Sequence, residues 1–378
     1  MKSISSALLC MLMLMVCACS VVNAQTKEKP KKLIIAVNTP HGVGYFTDNK
    51  GTFLFNKQFE RVSEFSEGLA RVNQNDKYGF ISTKGEVVVP CIYDNAWSFS
   101  EGLAGVKQNG KWGYINTQGE VVVPCIYAYA LNFSEGLACV EKNGKWGFIN
   151  TKGEVGVPCI YDGAWSFSEG LARVEQNGKG GFINTKGEVV APCIYDGAES
   201  FSEGLACVKQ NGKDGFINTK GEVVVPCIYD GAESFSEGLS RVNQNDKYGY
   251  INTTGEVVVP CIYDEALNFS EGLARVMQNG KDGFINTKGK VVIPCIYDLA
   301  MNFSEGLAQV MQYGKGYGFI NTKGEVVIPC KYDNAEAFSK GLALVEQNGK
   351  YSIINTEGKG IVAECDVWTT TWSKVEME

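Results

Sequence analysis

The chain has 378 residues, 44 of them glycine and 10 proline, and is 44% hydrophobic and 20% charged, the composition of a folded protein rather than a disordered one. Its 42 acidic and 35 basic side chains give a net charge of -7, and Lys and Arg are spread evenly, which excludes a nucleic-acid partner of the kind that needs a basic patch. The single histidine, His41, rules out a multi-histidine metal site, and any Ser/His or Cys/His nucleophile would have to work through that one residue.

At the N-terminus, Lys2 precedes an apolar run from Ala7 to Cys19, too short to span a bilayer as a helix and patterned like a secretory signal peptide. Val22-Asn23-Ala24 before Gln25 places small residues where a signal peptidase would cut after Ala24. A competing reading takes Val16-Cys17-Ala18-Cys19 as an imperfect lipobox and puts a lipid on Cys19. No later segment is apolar enough to cross a membrane as a helix. The expectation is an exported protein of the periplasm, cell surface or medium, either soluble or held by a lipid anchor. Residues 1–24 are then the signal peptide and 25–32 a short linker.

Repetition dominates the rest. The string FSEGLA (FSEGLS at Phe235) begins at Phe65, Phe99, Phe133, Phe167, Phe201, Phe235, Phe269 and Phe303, always 34 residues apart, and FSKGLA follows at Phe338. Nine tandem units cover residues 65–363. A degenerate unit at 33–64 precedes them, with Gly44-Tyr45-Phe46 aligned to Gly79-Phe80-Ile81, and a tail at 364–378 follows; atypical end copies are what capping a stacked array requires. In the last unit Ser352 replaces a recurrent glycine and Cys365 is displaced by one residue.

A 34-residue period is also that of helix-pair repeats, but the copy from Phe99 to Asn132 holds five glycines and a proline, and no stretch keeps helical spacing free of them. Leu103 to Gln108 is strand-like, Asn109-Gly110 signals a type I′ hairpin, and Lys111 to Asn116 returns. Asn116 to Gly119 makes a second turn, and Glu120 to Tyr127 is a β-branched third strand in which Pro124 predicts an edge or a bulge. Each unit reads as a three-stranded antiparallel meander, linked to the next by the AxxFSEG segment. Its apolar residues must be covered by neighbouring units. The predicted fold is all-β, an open superhelical or solenoid array, with a closed β-propeller as the alternative because ten blades would exceed the usual number.

The sequences Lys111-Trp112-Gly113-Tyr114-Ile115-Asn116 and Lys145-Trp146-Gly147-Phe148-Ile149-Asn150 resemble the signature of bacterial WG-repeat (KWG-repeat) proteins. That resemblance implies a β-rich tandem array, often envelope-associated, and brings no general catalytic activity with it. The tryptophan is replaced in most copies, by Tyr78, Gly180, Asp214, Tyr248, Asp282, Tyr317 and Tyr351.

Of 14 cysteines, eight recur in the third strand, from Cys91 to Cys330. One per unit means that a disulfide would have to bridge sheets about 10 Å apart, beyond its reach. Reduced packing is therefore expected, with Val121, Val123, Cys125 and Tyr127 on one face; strands stacked more tightly would reopen the disulfide reading. The mature chain has no CxxC pair for zinc, so neither a metal site nor a cofactor is expected. Recurrent Glu67, Glu101 and their equivalents, and Asp94, Asp162 and theirs, read as solvated glutamates and turn aspartates. A regular array repeats one environment many times, whereas a glycosidase needs two carboxylates set uniquely across one bond. No catalytic residue is assigned and no enzyme is expected.

Function is then sought in what varies. After the IYD step stand Trp97, Leu131, Trp165, Glu199, Glu233, Leu267, Met301 or Glu336. Exposed aromatic rows suit sugars and protein anchors, so Trp97, Trp112, Trp146 and Trp165 are the candidate ligand-binding residues, with packing against adjacent units as the competing role. The expected function is an exported, non-enzymatic scaffold binding a protein or envelope glycan. The alternatives are a passive spacer on a lipid-anchored protein and, least favoured, a carbohydrate-active enzyme.

Overall fold

A computed structural model describes residues 33–38, 44–47, 54–55, 58–339, 341–365 and 369–374. The leader, with Ala24 and Cys19, and His41 lie outside the described residues.

The described chain is strand and turn throughout, arranged as nine four-stranded antiparallel sheets and one of three strands, none curled into a barrel. The sheet of residues 129–161 shows the pattern, with strands Tyr129–Ser134, Leu137–Lys142, Lys145–Asn150 and Val155–Tyr161 in sequential order. The last three are the expected meander. The segment read as a link instead supplies a fourth strand, pairing Ala130 with Val140 and Ser134 with Leu137. Most other sheets keep only two residues of it in strand form, such as Gly163–Ala164.

Each turn has a local cause. Asn143-Gly144 has φ of 55° and 75°, the type I′ hairpin that the Asn-Gly pair predicts. Glu135-Gly136 makes a second hairpin of the same kind, at 54° and 78°, in spite of a glutamate where positive φ is disfavoured. The cost is offset from outside the turn: Glu135 Oε2 accepts a hydrogen bond from the Gly170 N–H of the next unit at 2.8 Å, and the same bond recurs from Glu67 to Glu305. Beside it, Ser134 Oγ donates to the Phe167 carbonyl at 2.9 Å. The glutamates are exposed as expected, but they also join units.

The strand Val155–Tyr161 lies at a sheet edge and is bulged. Trp146 faces Tyr161 while Phe148 faces Val157, so two residues of one strand span four of the other. This bulge explains the glycine of the recurrent Trp-Gly pair, because a Cβ on Gly147 would lie 2.5 Å from the Val157 carbonyl oxygen. In the last sheet Tyr351 faces Cys365 and Ile353 faces Val362; the bulge is one residue shorter, and Ser352 replaces the glycine. The bulge also overturns the expected face for cysteine. Val123 and Tyr127 pack toward the following sheet, whereas Cys125 packs toward the preceding one, and Val121 is 60% exposed.

Sheets pack face to face in chain order. Leu137, Phe148, Val157 and Tyr161 of one meet Ala164, Phe167, Val174 and Ile183 of the next, so the sheets between residues 61 and 332 are each buried on both faces by their neighbours. The phenylalanine of FSEG meets the aromatic ring of the preceding unit edge-on, Phe148 and Phe167 at 4.8 Å between centroids, a geometry favoured by ring quadrupoles. Phe46 makes the equivalent contact with Phe65 at 5.1 Å and so takes the place of Phe80, one residue away from the sequence alignment.

The three-stranded sheet is built from both ends of the chain: Leu33–Asn38 pairs with Gly44–Thr47 on one side and with Thr369–Lys374 on the other. The sheets thus keep free edges, as in an open array, while the two chain ends are joined, as in the closed ring that the sequence allowed as the alternative.

Candidate functional site

Most positions that hardly change between units are consumed by turns, bulges and interfaces. Those that vary come together at the start of each sheet, beside the first strand, and between residues 163 and 263 they line crevices between successive sheets. There the residue after the IYD step, the one two places further on, the third residue of the LAxV strand and the tryptophan position of the Trp-Gly pair converge.

In sheets 95–127 and 129–161 four of these eight positions are aromatic, and the four are in mutual contact. Trp97 stacks on Trp112 at 5.3 Å and 7° between planes, Trp112 lies 6.0 Å from Tyr129, and Tyr129 lies 5.7 Å from Trp146. Gly105 makes room for Trp97, since a Cβ there would come within 2.8 Å of its ring. Trp97 Nε1 also donates to the Ala130 carbonyl at 3.0 Å. Three of the four expected tryptophans therefore form one row. The sequence reading missed Tyr129, the link between them; its signal is the same break in the IYD series that puts Ala128 in place of aspartate. Trp112 is only 2% exposed and belongs to the interface, while Trp97 and Trp146 are half-buried.

Trp165 stands apart. It is 37% exposed and carries the Arg173 guanidinium 3.8 Å from its ring centre, a cation–π contact. From there on, charge replaces aromatic surface. Lys209 pairs with Asp214 at 3.4 Å, Arg241 with Glu233 at 2.5 Å and Arg275 with Asp282 at 2.8 Å. Asp214 and Asp282 occupy the tryptophan position and are buried at 7% and 1% exposure; each accepts a hydrogen bond from the next unit, from the N–H of Ala232 and of Ala300. Burial also pushes the carboxyl of Glu336 above its ordinary range.

The aspartates of the IYD step serve turns, as expected, and also tie units together. Asp162 Oδ1 pairs with Lys145 of its own unit at 2.5 Å, and its Oδ2 accepts from the Asn177 N–H of the next at 2.7 Å. The lysine bond, followed by the backbone bond, holds the Asp162 carboxyl below the usual range. Burial pushes the thiols of Cys91, Cys125 and Cys159 above their ordinary range. Cys125 Sγ sits 3.6 Å from the Val106 carbonyl. Among the described residues no group of three or more His, Cys, Asp or Glu is placed to hold a metal ion, and no helix is long and apolar enough to cross a membrane.

The pattern of a WG-containing repeat matches nine times in succession, from residues 46–78 through 112–146 and 215–248 to 317–351. No curated protein matches the chain. Among solved structures, that of a eukaryotic initiation factor is similar with a TM-score of 0.53 at 13% identity, covering 91% of this chain and 98% of that one. Dihydro-heme d1 dehydrogenase NirN has a TM-score of 0.43 at 12% identity, covering 93% and 77%. BamB from Moraxella catarrhalis has 0.36 at 14%, covering 82% and 95%. At these identities the likeness to the first is one of fold alone.

Proposed function

The chain belongs to the family of WG-containing repeat proteins, and on that premise we propose that it is an exported, non-enzymatic scaffold that binds a protein or an envelope glycan along its row of inter-sheet crevices. One observation carries the reading. Constant residues are spent on turns and interfaces, and the variable ones gather on one side, where units differ in chemistry while sharing a backbone. Tandem arrays present extended surfaces of this kind. The leader reading, with a cut after Ala24 or a lipid on Cys19, supports export, and mass spectrometry of the mature N-terminus tests it.

The binding reading is tested by capture. Immobilised residues 25–378 are exposed to envelope proteins and cell-wall glycan fractions, and a saturable partner displaced by free protein is expected. Trp165→Ala should then weaken capture about tenfold, ~1.4 kcal/mol, with an unchanged circular dichroism spectrum. No saturable partner in either fraction would overturn the reading in favour of a passive spacer.

A further inference from the structure

Two cavities in the charged half adjoin and share part of their lining. One, of about 410 Å³, lies between sheets 197–229 and 231–263. The other, of about 240 Å³, lies between sheets 163–195 and 197–229, and both are lined by Lys209, Asp214 and Ala232. Together they form a groove across three sheets. Its origin lies in small residues: Gly197 and Gly231 stand where Tyr129 stands in sheet 129–161. A Cβ at either would make only ordinary contact, 3.5 Å to Lys209 and 3.6 Å to Asn243.

The groove is polar and leans acidic. Arg173, Lys209 and Arg241 face Glu199, Asp214, Asp230, Glu233 and Asp246 along it, and most of the charges are satisfied locally, Asp230 by Lys213. Lys209 pairs with Asp214, Arg241 bonds Glu233 and the Ala266 carbonyl, and Glu199 accepts from Ser234 Oγ at 3.0 Å. With most charges paired and a small acidic excess, the groove has no field that would concentrate an anion. The paired charges still expose spare carboxylate lone pairs and N–H donors side by side, the arrangement that hydroxyl groups, at once donors and acceptors, can satisfy. Half-buried Tyr248 lines one end and Trp165 lies against Arg173 at the other, apolar surface that suits the C–H faces of a sugar. Arg173 Nε, buried at one end, has no hydrogen-bond partner among the described residues.

We propose that this groove is a binding site for an uncharged oligosaccharide. The proposal rests on the scaffold reading and narrows its partner to neutral sugar chains. The test is titration of residues 25–378 with a panel of neutral oligosaccharides (cello-, malto-, manno- and chitohexaose) beside oligogalacturonate and a mixed peptide set, read by calorimetry and by Trp fluorescence.

At least one neutral hexasaccharide should bind, with an affinity changing less than about twofold between 0.05 and 0.5 M salt. Gly231→Tyr, which plugs the groove with a side chain that the fold already accepts as Tyr129, should weaken binding at least about tenfold at unchanged melting temperature. Glu233→Gln together with Lys209→Gln, both partly exposed, should weaken it by a similar factor. Binding of no neutral sugar, salt-sensitive binding of oligogalacturonate alone, binding of peptides alone, or sugar binding indifferent to all three substitutions overturns the proposal. A partner captured from the envelope that still binds Gly231→Tyr would preserve the scaffold reading while removing this one.

Discussion

The aromatic arc of sheets 95–161 and the charged arc of sheets 163–297 share one backbone and one set of turns, and they solve the same packing problem in opposite ways. Where the Trp-Gly pair keeps its tryptophan, Trp112 is buried between Trp97 and Tyr129 and needs nothing else. Where aspartate takes that position, Asp282 is buried as deeply and must be matched by Arg275 and by the Ala300 N–H, because an unpaired buried charge is costly. The difference shows that the frame, not the tryptophan, holds the units together. The position is free to carry function because the bulge, the Glu-Gly turn and the edge-to-face phenylalanines are untouched by it.

The comparison can be broken at its strongest point. Trp112→Ala should open a cavity in the aromatic arc and cost about 3–5 kcal/mol, seen as a clear fall in denaturation midpoint, whereas Trp165→Ala should leave that midpoint nearly unchanged. Equal losses would mean that exposure does not separate the two tryptophans. An intermediate effect comes from converting one arc into the other. Gly180→Trp restores the tryptophan, but its Cβ would meet Ala198 Cβ at 3.3 Å, closer than ordinary contact, so the melting temperature should fall by a few degrees, about what ~1 kcal/mol gives; a rise would show that the charged arc can be refilled.

The smallest effect is electrostatic and common to both arcs. Asp94, Asp162, Asp196, Asp230, Asp264 and Asp298 have carboxyls held below the ordinary range, first by their lysine bonds. A carboxyl depressed in the folded state stabilises it above the ordinary value of 3.8 and loses that contribution as pH falls through the lowered value. Melting temperature should therefore fall as the pH drops below about 4. Asp196→Asn should shift it by about a degree or less at pH 7, less still in high salt, and by less again as the pH falls through the lowered value.

Much of this was legible in the sequence. The 34-residue period, the Asn-Gly hairpin, the edge position of the proline strand and the dependence of each unit on its neighbours all follow from local chemistry. The fourth strand did not, because its turn places Glu135 at positive φ, against local preference, and the bond that stabilises it comes from Gly170 in another unit. Cys125 was assigned to the wrong face because alternation assumes an unbroken pleat, and the bulge at Pro124 breaks it. Tyr129 was missed because only the folded chain sets it between Trp112 and Trp146, and the groove because it consists of what Gly197 and Gly231 leave out.

The sheet shared by the chain ends sets Leu33 opposite Lys374, and antiparallel partners lie about 5 Å apart. Start and finish of the folded chain thus leave the same end of the same sheet as neighbours. A short peptide joining Lys374 to Leu33 would close the backbone, and new termini could be cut at any exposed Asn-Gly turn, giving a family of circular permutants in which each unit in turn comes first. A domain fused directly after Lys374 would therefore start beside Leu33, at the same end of the same sheet.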